Sequence, residues 1–150
     1  MIENFDNFKH VHFIGVGGIG ISAVARMLLG EGKIVSGSDE SVSSVTKSLE
    51  ALGVRIYEKH GAQNIDEDVD LIIYTIAISD DNAELAQAKS LGVPVITYPQ
   101  SLEIISKNKK TIVISGTHGK TTTTSMIATA MIENDFDPTV IVGSILKEWN

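Results

Sequence analysis

The sequence predicts an α/β protein built on a doubly wound parallel sheet. Three observations carry this. Short apolar runs alternate with longer amphipathic stretches over most of the chain, a G-x-G-x-x-G turn follows the first run at 15–20, and a second glycine turn ending in Lys-Thr-Thr follows another run at 116–122. Repeated strand–helix units imply parallel strands, right-handed crossovers and helices on both sheet faces.

The first strand is expected at 11–15, apolar but for His12 and ending in glycine. Gly15-Val16-Gly17-Gly18-Ile19-Gly20 then opens a helix over 18–29, with Ala23, Val24, Met27 and Leu28 on one face and Gly30 and Gly32 at its end. A second strand, 34–38, closes on Asp39, which lies 19 residues after Gly20. Strand, glycine turn, helix, strand and acid make a Rossmann-like βαβ unit. Residues 41–52 read as a helix facing inward through Val45, Leu49 and Leu52, and 54–56 as a short strand. The nearly continuous apolar run 70–75 reads as a strand buried on both faces. A helix over 82–91 ends at Gly92, a strand over 93–97 carries Pro94 near its start, and a short helix covers 101–106.

Residues 106–110, Ser-Lys-Asn-Lys-Lys, read as a solvated linker. Beyond it a strand at 111–115, the turn 116–122, a helix over 123–134 and a strand at 140–142 would form a second βαβ unit, the start of a P-loop ATP-binding domain. One helix between two parallel strands cannot bury both sheet faces. The expected division is therefore a complete domain over 1–105, a linker over 106–110 and a truncated domain over 111–150, with the chain a fragment of a longer protein. The second unit must then extend the first sheet, pair with another copy, or be partly disordered.

Composition narrows the function classes. The 150 residues are 43% hydrophobic and 21% charged, as in globular proteins, and contain no cysteine, which excludes disulfides and thiolate metal sites and fits a cytoplasmic protein. No apolar run approaches the ~18 residues of a membrane span. The acidic N-terminus lacks the order of a signal peptide. A net charge of −7 argues against nonspecific nucleic-acid binding. Small anions remain possible ligands, because backbone dipoles can hold them locally.

Both glycine turns are anion cradles by construction: inward N–H groups join the unpaired N–H groups of a helix start. At 15–20 the expected ligand is a diphosphate, of NAD(P) or of another nucleotide such as a UDP-sugar, because the backbone reads pyrophosphate alone; the alternative is a tight turn that holds no ligand. At 116–122, Lys120 is placed to neutralise the outer phosphates and the Thr121 hydroxyl to ligate magnesium. The common pattern G-x-x-x-x-G-K-[ST] would need glycine at 114, where this chain has Ile114. The loop Gly116-Thr117-His118-Gly119-Lys120-Thr121-Thr122 is shorter, but keeps the Gly-Lys-Thr end.

This short loop resembles that of the Mur ligases, which add amino acids to UDP-N-acetylmuramate in peptidoglycan synthesis, and of the related folylpolyglutamate synthetases. His118 resembles the branch that attaches the first residue, L-alanine, and its relative that recycles murein peptides. His12-Phe13-Ile14-Gly15-Val16-Gly17-Gly18-Ile19-Gly20, Val35-Ser36-Gly37-Ser38-Asp39, and Ala77-Ile78-Ser79 with Asn82 resemble the L-alanine branch, whereas the recycling branch usually carries a cysteine in the first loop. The resemblance spans essentially all 150 residues, about the first third of such an enzyme.

The resemblance implies two sites. Gly15, Gly17, Gly18, Ile19 and Gly20 would hold the UDP-sugar diphosphate, with Ser38 and Asp39 near the uridine and Ala77, Ile78 and Ser79 lining the same crevice. His60 is a further candidate; the alternative for it is a solvated loop histidine. Gly116, Thr117, His118, Gly119, Lys120, Thr121 and Thr122 would hold ATP, with Lys120 catalytic and Thr121 on Mg²⁺. The implied partners are UDP-N-acetylmuramate, L-alanine and ATP. Two other readings stay open: a recycling ligase for murein peptides, and a non-enzymatic NAD-binding regulatory module that would explain Gly15–Gly20 and Asp39 but leave 119–122 without a role.

Overall fold

The computed structural model of the chain describes residues 2–144. Five parallel strands form one sheet: β1 (His10–Ile14), β2 (Ile34–Ser38), β3 (Arg55–Tyr57), β4 (Leu71–Tyr74) and β5 (Val95–Thr97), in the order β3-β2-β1-β4-β5. The central strand β1 pairs with both β2 and β4, so Val11 stands between Val35 and Leu71. At its start the Asp70 carboxylate accepts the N–H groups of Lys9 and His10, at 2.8 and 3.0 Å, tying β1 to the head of β4.

Helices α1 (Ile19–Gly30), α2 (Ser44–Ala51) and α4 (Tyr98–Asn108) cover one face of the sheet, where Phe13, Val24, Leu28, Leu49, Ile73 and Ile104 meet. Helix α3 (Ala83–Leu91) covers the other, packing Leu85 and Ala88 on Ile14 and Ile72. The sheet is therefore doubly wound, as expected. The inward face of α1 is Ile21, Val24, Ala25 and Leu28, an i, i+3, i+4, i+7 stripe, rather than the Ala23–Met27 side.

Several boundaries differ from the sequence reading for local reasons. Helix α2 starts at Ser44 because Ser43 and Thr46 form a reciprocal capping box. Helix α4 starts at Tyr98, not 101, because Thr97 and Gln100 form a second such box and Pro99 suits the first turn. It continues to Asn108, so most of the expected linker is its last turn. Pro94 precedes β5 and contributes only its carbonyl, to the Ile72 N–H at 2.9 Å. Helix α3 ends where Gly92 takes φ 71°, a left-handed cap.

The largest correction concerns the second unit. Its helix, α5 (Lys120–Ile132), forms and begins three residues earlier than expected, but residues 111–115 and 140–142 are not paired into any sheet among the described residues. Strand structure is a property of pairing, and apolar sequence without a partner strand cannot supply it. Val113 is 78% exposed and Phe136 62%, and of α5 only Ala128 is buried.

Phe13 is fully buried at the centre of β1. Phe13→Ala is expected to lower folding stability by about 3–5 kcal/mol, measured as a shift in the urea midpoint at unchanged m-value.

Candidate functional site

The sheet order reverses direction at β1: the chain goes outward through β2 and β3, then crosses back to β4 on the other side. Open α/β sheets bind ligands beyond the strand ends at this switch point. Here three segments meet there, 15–20 after β1, 38–39 at the end of β2, and 75–79 after β4.

The turn after β1 is fixed by the Ser38 carbonyl, which accepts both the Gly15 and Val16 N–H groups, at 2.8 and 3.1 Å. Gly15 has φ 80°, and a Cβ there would collide with the Thr75 methyl group. Glycine is thus required both by conformation and by the approach of β4. The turn delivers the chain into α1, whose Gly18 cap provides no side-chain hydrogen bond and whose first turn carries no acid. The N–H groups of Ile19, Gly20 and Ile21 have no intrahelical acceptor by position, so the helix presents donors and the positive end of its dipole to the crevice. Asp39 reaches this loop: one carboxylate oxygen accepts the Gly17 N–H at 2.8 Å and the other the Ser41 N–H at 2.9 Å. Ile78 sits close to Gly15 across the crevice, and its N–H is bonded to Thr75 at 3.0 Å. Of the 77–79 segment, Ile78 is the residue that faces the glycine turn. Tyr98, which the sequence reading did not single out, places its hydroxyl 2.5 Å from where a Gly20 Cβ would lie, and its burial raises the pKa of the phenol.

Beneath this crevice lies a buried polar cluster. The Ser38 side chain is fully buried. Its hydroxyl donates to Glu84 Oε2 at 2.6 Å and lies 2.8 Å from His60 Nδ1. Because its one proton goes to the carboxylate, it accepts from His60 Nδ1–H, which sets that tautomer. His60 Nδ1 is also 3.1 Å from the same carboxylate oxygen. Asn64 donates to Glu84 Oε1 at 2.6 Å and to the Lys59 carbonyl at 2.8 Å. His60 is therefore not a solvated loop histidine but a half-buried member of this cluster. His12 and His10 belong to β1, both hydrogen-bonded to the Ser36 hydroxyl at 2.9 and 2.8 Å. Burial pushes the Glu84 carboxyl up, but His12, Ser38 and Asn64 outweigh it and hold its pKa below the ordinary value. Glu84 and Asn64 were not legible as site residues. The only signal was an acid two residues after the capping Asn82, which reads as ordinary helix-start chemistry.

The second glycine turn is built differently. Gly116 has φ 153° and Gly119 φ 79°, and Gly119 caps α5 without a side-chain bond. The early start of α5 puts Lys120, Thr121 and Thr122 in its first turn. Lys120 folds back on its own loop, its ammonium donating to the Gly116 carbonyl and to that of Thr117 at 3.2 Å. The Thr121 hydroxyl makes no hydrogen bond among the described residues, and Thr117 and His118 are exposed. Among those residues no cluster of three His, Asp or Glu side chains could hold a metal. The donor set thus fits magnesium only through one hydroxyl, with the remaining ligands coming from phosphate and water.

Comparison with known proteins agrees with this geometry. The family model described as "Mur ligase family, catalytic domain" matches residues 10–110. UDP-N-acetylmuramate–L-alanine ligase of Acetivibrio thermocellus is 50% identical over 142 residues, covering 94% of this chain and 30% of that protein. The protein of the same name in Clostridium kluyveri is 48% identical and is covered over 32% of its length. Among solved structures, UDP-N-acetylmuramate–alanine ligase of Thermotoga maritima superposes with TM-score 0.87 at 38% identity, over 93% of this chain and 33% of that one. A UDP-N-acetylmuramate:L-alanyl-γ-D-glutamyl-meso-diaminopimelate ligase from Neisseria meningitides superposes with TM-score 0.85 at 31% identity, over 95% of this chain and 45% of that one. The chain spans about a third of the length of the curated relatives it matches.

The depressed Glu84 carboxyl makes a prediction about acid stability. Its folded pKa lies below its unfolded one, so its contribution is fully present above the usual carboxylate range and is lost as pH falls through the folded value. Urea unfolding from pH 7 down to about pH 3 should show a shallower decline for Glu84→Gln than for the parent, with the variant less stable at pH 7 by about 1–3 kcal/mol. Parallel pH profiles would contradict the assignment.

Proposed function

The chain belongs to the Mur ligase family, and on that premise we propose that it supplies the UDP-sugar site and the ATP loop of a ligase that joins L-alanine to UDP-N-acetylmuramate in peptidoglycan synthesis. Residues 1–105 would form the UDP-sugar domain and 111–150 the beginning of the ATP-binding domain, with 106–110 between them. The observation that carries the reading is the pair of helix starts, α1 and α5, each entered through a glycine turn, uncapped by a side chain and free of acids in the first turn. Both are suited to anionic phosphates.

In the proposed reaction the lactyl carboxylate of UDP-N-acetylmuramate attacks the γ-phosphorus of ATP, forming an acyl phosphate and releasing ADP. The L-alanine amine then attacks the acyl carbon, phosphate leaves, and the amine proton passes to solvent. The first step is phosphoryl transfer, where positioning and charge neutralisation dominate. The glycine turn and the start of α1 would hold the UDP-sugar diphosphate, with Asp39 near the ribose and uridine and Ala77, Ile78 and Ser79 opposite. Gly116, Thr117, His118, Gly119 and Thr122 would cradle the ATP phosphates. Lys120 would exchange the carbonyls of its own loop for phosphate oxygens. Thr121 would contribute its hydroxyl to Mg²⁺, which supplies charge neutralisation across the phosphates when bound. The ATP requirement fits a cytoplasmic setting.

Identities of 50% and 38% to L-alanine ligases, against 31% to the Neisseria enzyme, favour this branch over a recycling ligase. The NAD-binding reading leaves the Gly-Lys-Thr-Thr turn without a role.

Titration of the chain with UDP-N-acetylmuramate, UDP and NAD, followed by amide NMR shifts, tests the first site. Shifts at Gly15–Gly20 are expected with the two uridine ligands, and shifts with NAD alone would overturn the reading. In the full-length enzyme, Lys120→Ala is expected to lower turnover by about 10²-fold or more, and unchanged turnover would remove Lys120 from catalysis.

A further inference from the structure

The polar cluster below the crevice is not required by the fold alone. The opposite face of the sheet is closed by apolar side chains, and the other half of the α3 contact, Leu85 and Ala88 on Ile14 and Ile72, is apolar as well. At Glu84 the same helix instead buries a carboxylate completely. A buried charge is tolerated only where donors satisfy it, and it is costly wherever one is lost. Its donors come from separate parts of the chain. Ser38 ends β2, His60 and Asn64 follow β3, and Glu84 itself follows the 77–82 segment, its own N–H bonded to the Asn82 side chain at 2.9 Å.

Two of these, the end of β2 and the segment after β4, border the crevice. Ser38 is the strategic one. Its side chain is held by Glu84 while its carbonyl holds the Gly15 and Val16 amides. A displacement of Glu84 is therefore passed through one residue to the turn that aims the start of α1. His60 is connected in the same way, because the carboxylate and the Ser38 hydroxyl together face its Nδ1–H.

We propose that Glu84 is a positioning residue for the sugar-nucleotide crevice, clamping the end of β2, the His60–Asn64 segment and the 77–82 turn into the binding geometry. This rests on the assignment of the UDP-sugar to that crevice. Glu84 is fully buried and acts through Ser38, Asn64 and His60. The clamp requires the charge and the length of glutamate: glutamine replaces an acceptor with a donor opposite Asn64 or Ser38, and aspartate is one methylene short.

The test is binding of UDP-N-acetylmuramate to the whole 150-residue chain by calorimetry, at a temperature where each variant is fully folded by circular dichroism. Glu84→Gln is expected to weaken binding about tenfold or more, within the range found for side chains that orient a site's direct ligands. Leu85→Ala, next on the same helix and facing the apolar half, serves as the stability control and is expected to change affinity less than about threefold while lowering stability. The amide shifts of Gly15 and Val16 in the ligand-free chain should move further in Glu84→Gln than in Leu85→Ala, whose packing neighbour Ile14 precedes the turn. If the parent binds and both variants bind as the parent does, or both weaken alike, the positioning role is overturned and the site assignment stands. If the parent does not bind, the assignment of the crevice falls, and the role of Glu84 with it.

Discussion

One carbonyl, that of Ser38, accepts two consecutive amides from the turn after the central strand. Much of the site's geometry follows from this. A strand that ends on such a bifurcated acceptor must turn away sharply, and only a residue at positive φ makes the turn without strain. Gly15 supplies it. The turn sets the direction of α1, and so places the helix's unpaired donors over the gap between β1 and β4. The parallel sheet contributes the rest: all its strands end on the same side, so the segments after β1, β2 and β4 come together there although up to 60 residues separate them in sequence, as between Gly15 and Thr75.

The two glycine turns show how far this construction depends on surroundings. The first is packed on three sides, by Asp39, by Thr75 with Ile78, and by Tyr98 over Gly20. Its amides and its helix start are held in place before a ligand arrives. The second has the same local ingredients, yet its residues are exposed and its lysine bonds its own loop. Sequence alone makes a cradle possible in both places; packing makes it rigid in the first.

This difference also explains what was legible in the sequence. Glycine spacing, helix stops and continuous apolar runs are local, and they located β1, β2, β4 and the two turns. The beginning of α4 was missed because Thr97 is at once the last residue of β5 and the cap of α4, its hydroxyl and Gln100 forming the capping box. The flanks of α5 were read as strands from their apolar content, but pairing is non-local and neither flank has a partner strand among the described residues. The sequence reading placed Ser38 near the uridine without saying how; the fold gives its carbonyl to the glycine turn and buries its side chain.

Glu84 was invisible for a related reason. An acid in the first turn of a helix is expected on the surface, where it complements the dipole. Nothing near it in sequence indicates that β2 and the segment after β3 bring a serine, a histidine and an asparagine within reach. Replacing the whole buried polar cluster with apolar side chains need not cost stability, since apolar replacement of buried ion pairs is often neutral or better, although removing one member alone is costly. The carboxylate's use lies in direction: apolar contacts tolerate small slides between layers, whereas a charge with short hydrogen bonds to separate segments fixes their relative placement. A crevice whose geometry depends on the aim of a helix start gains that kind of restraint from its floor.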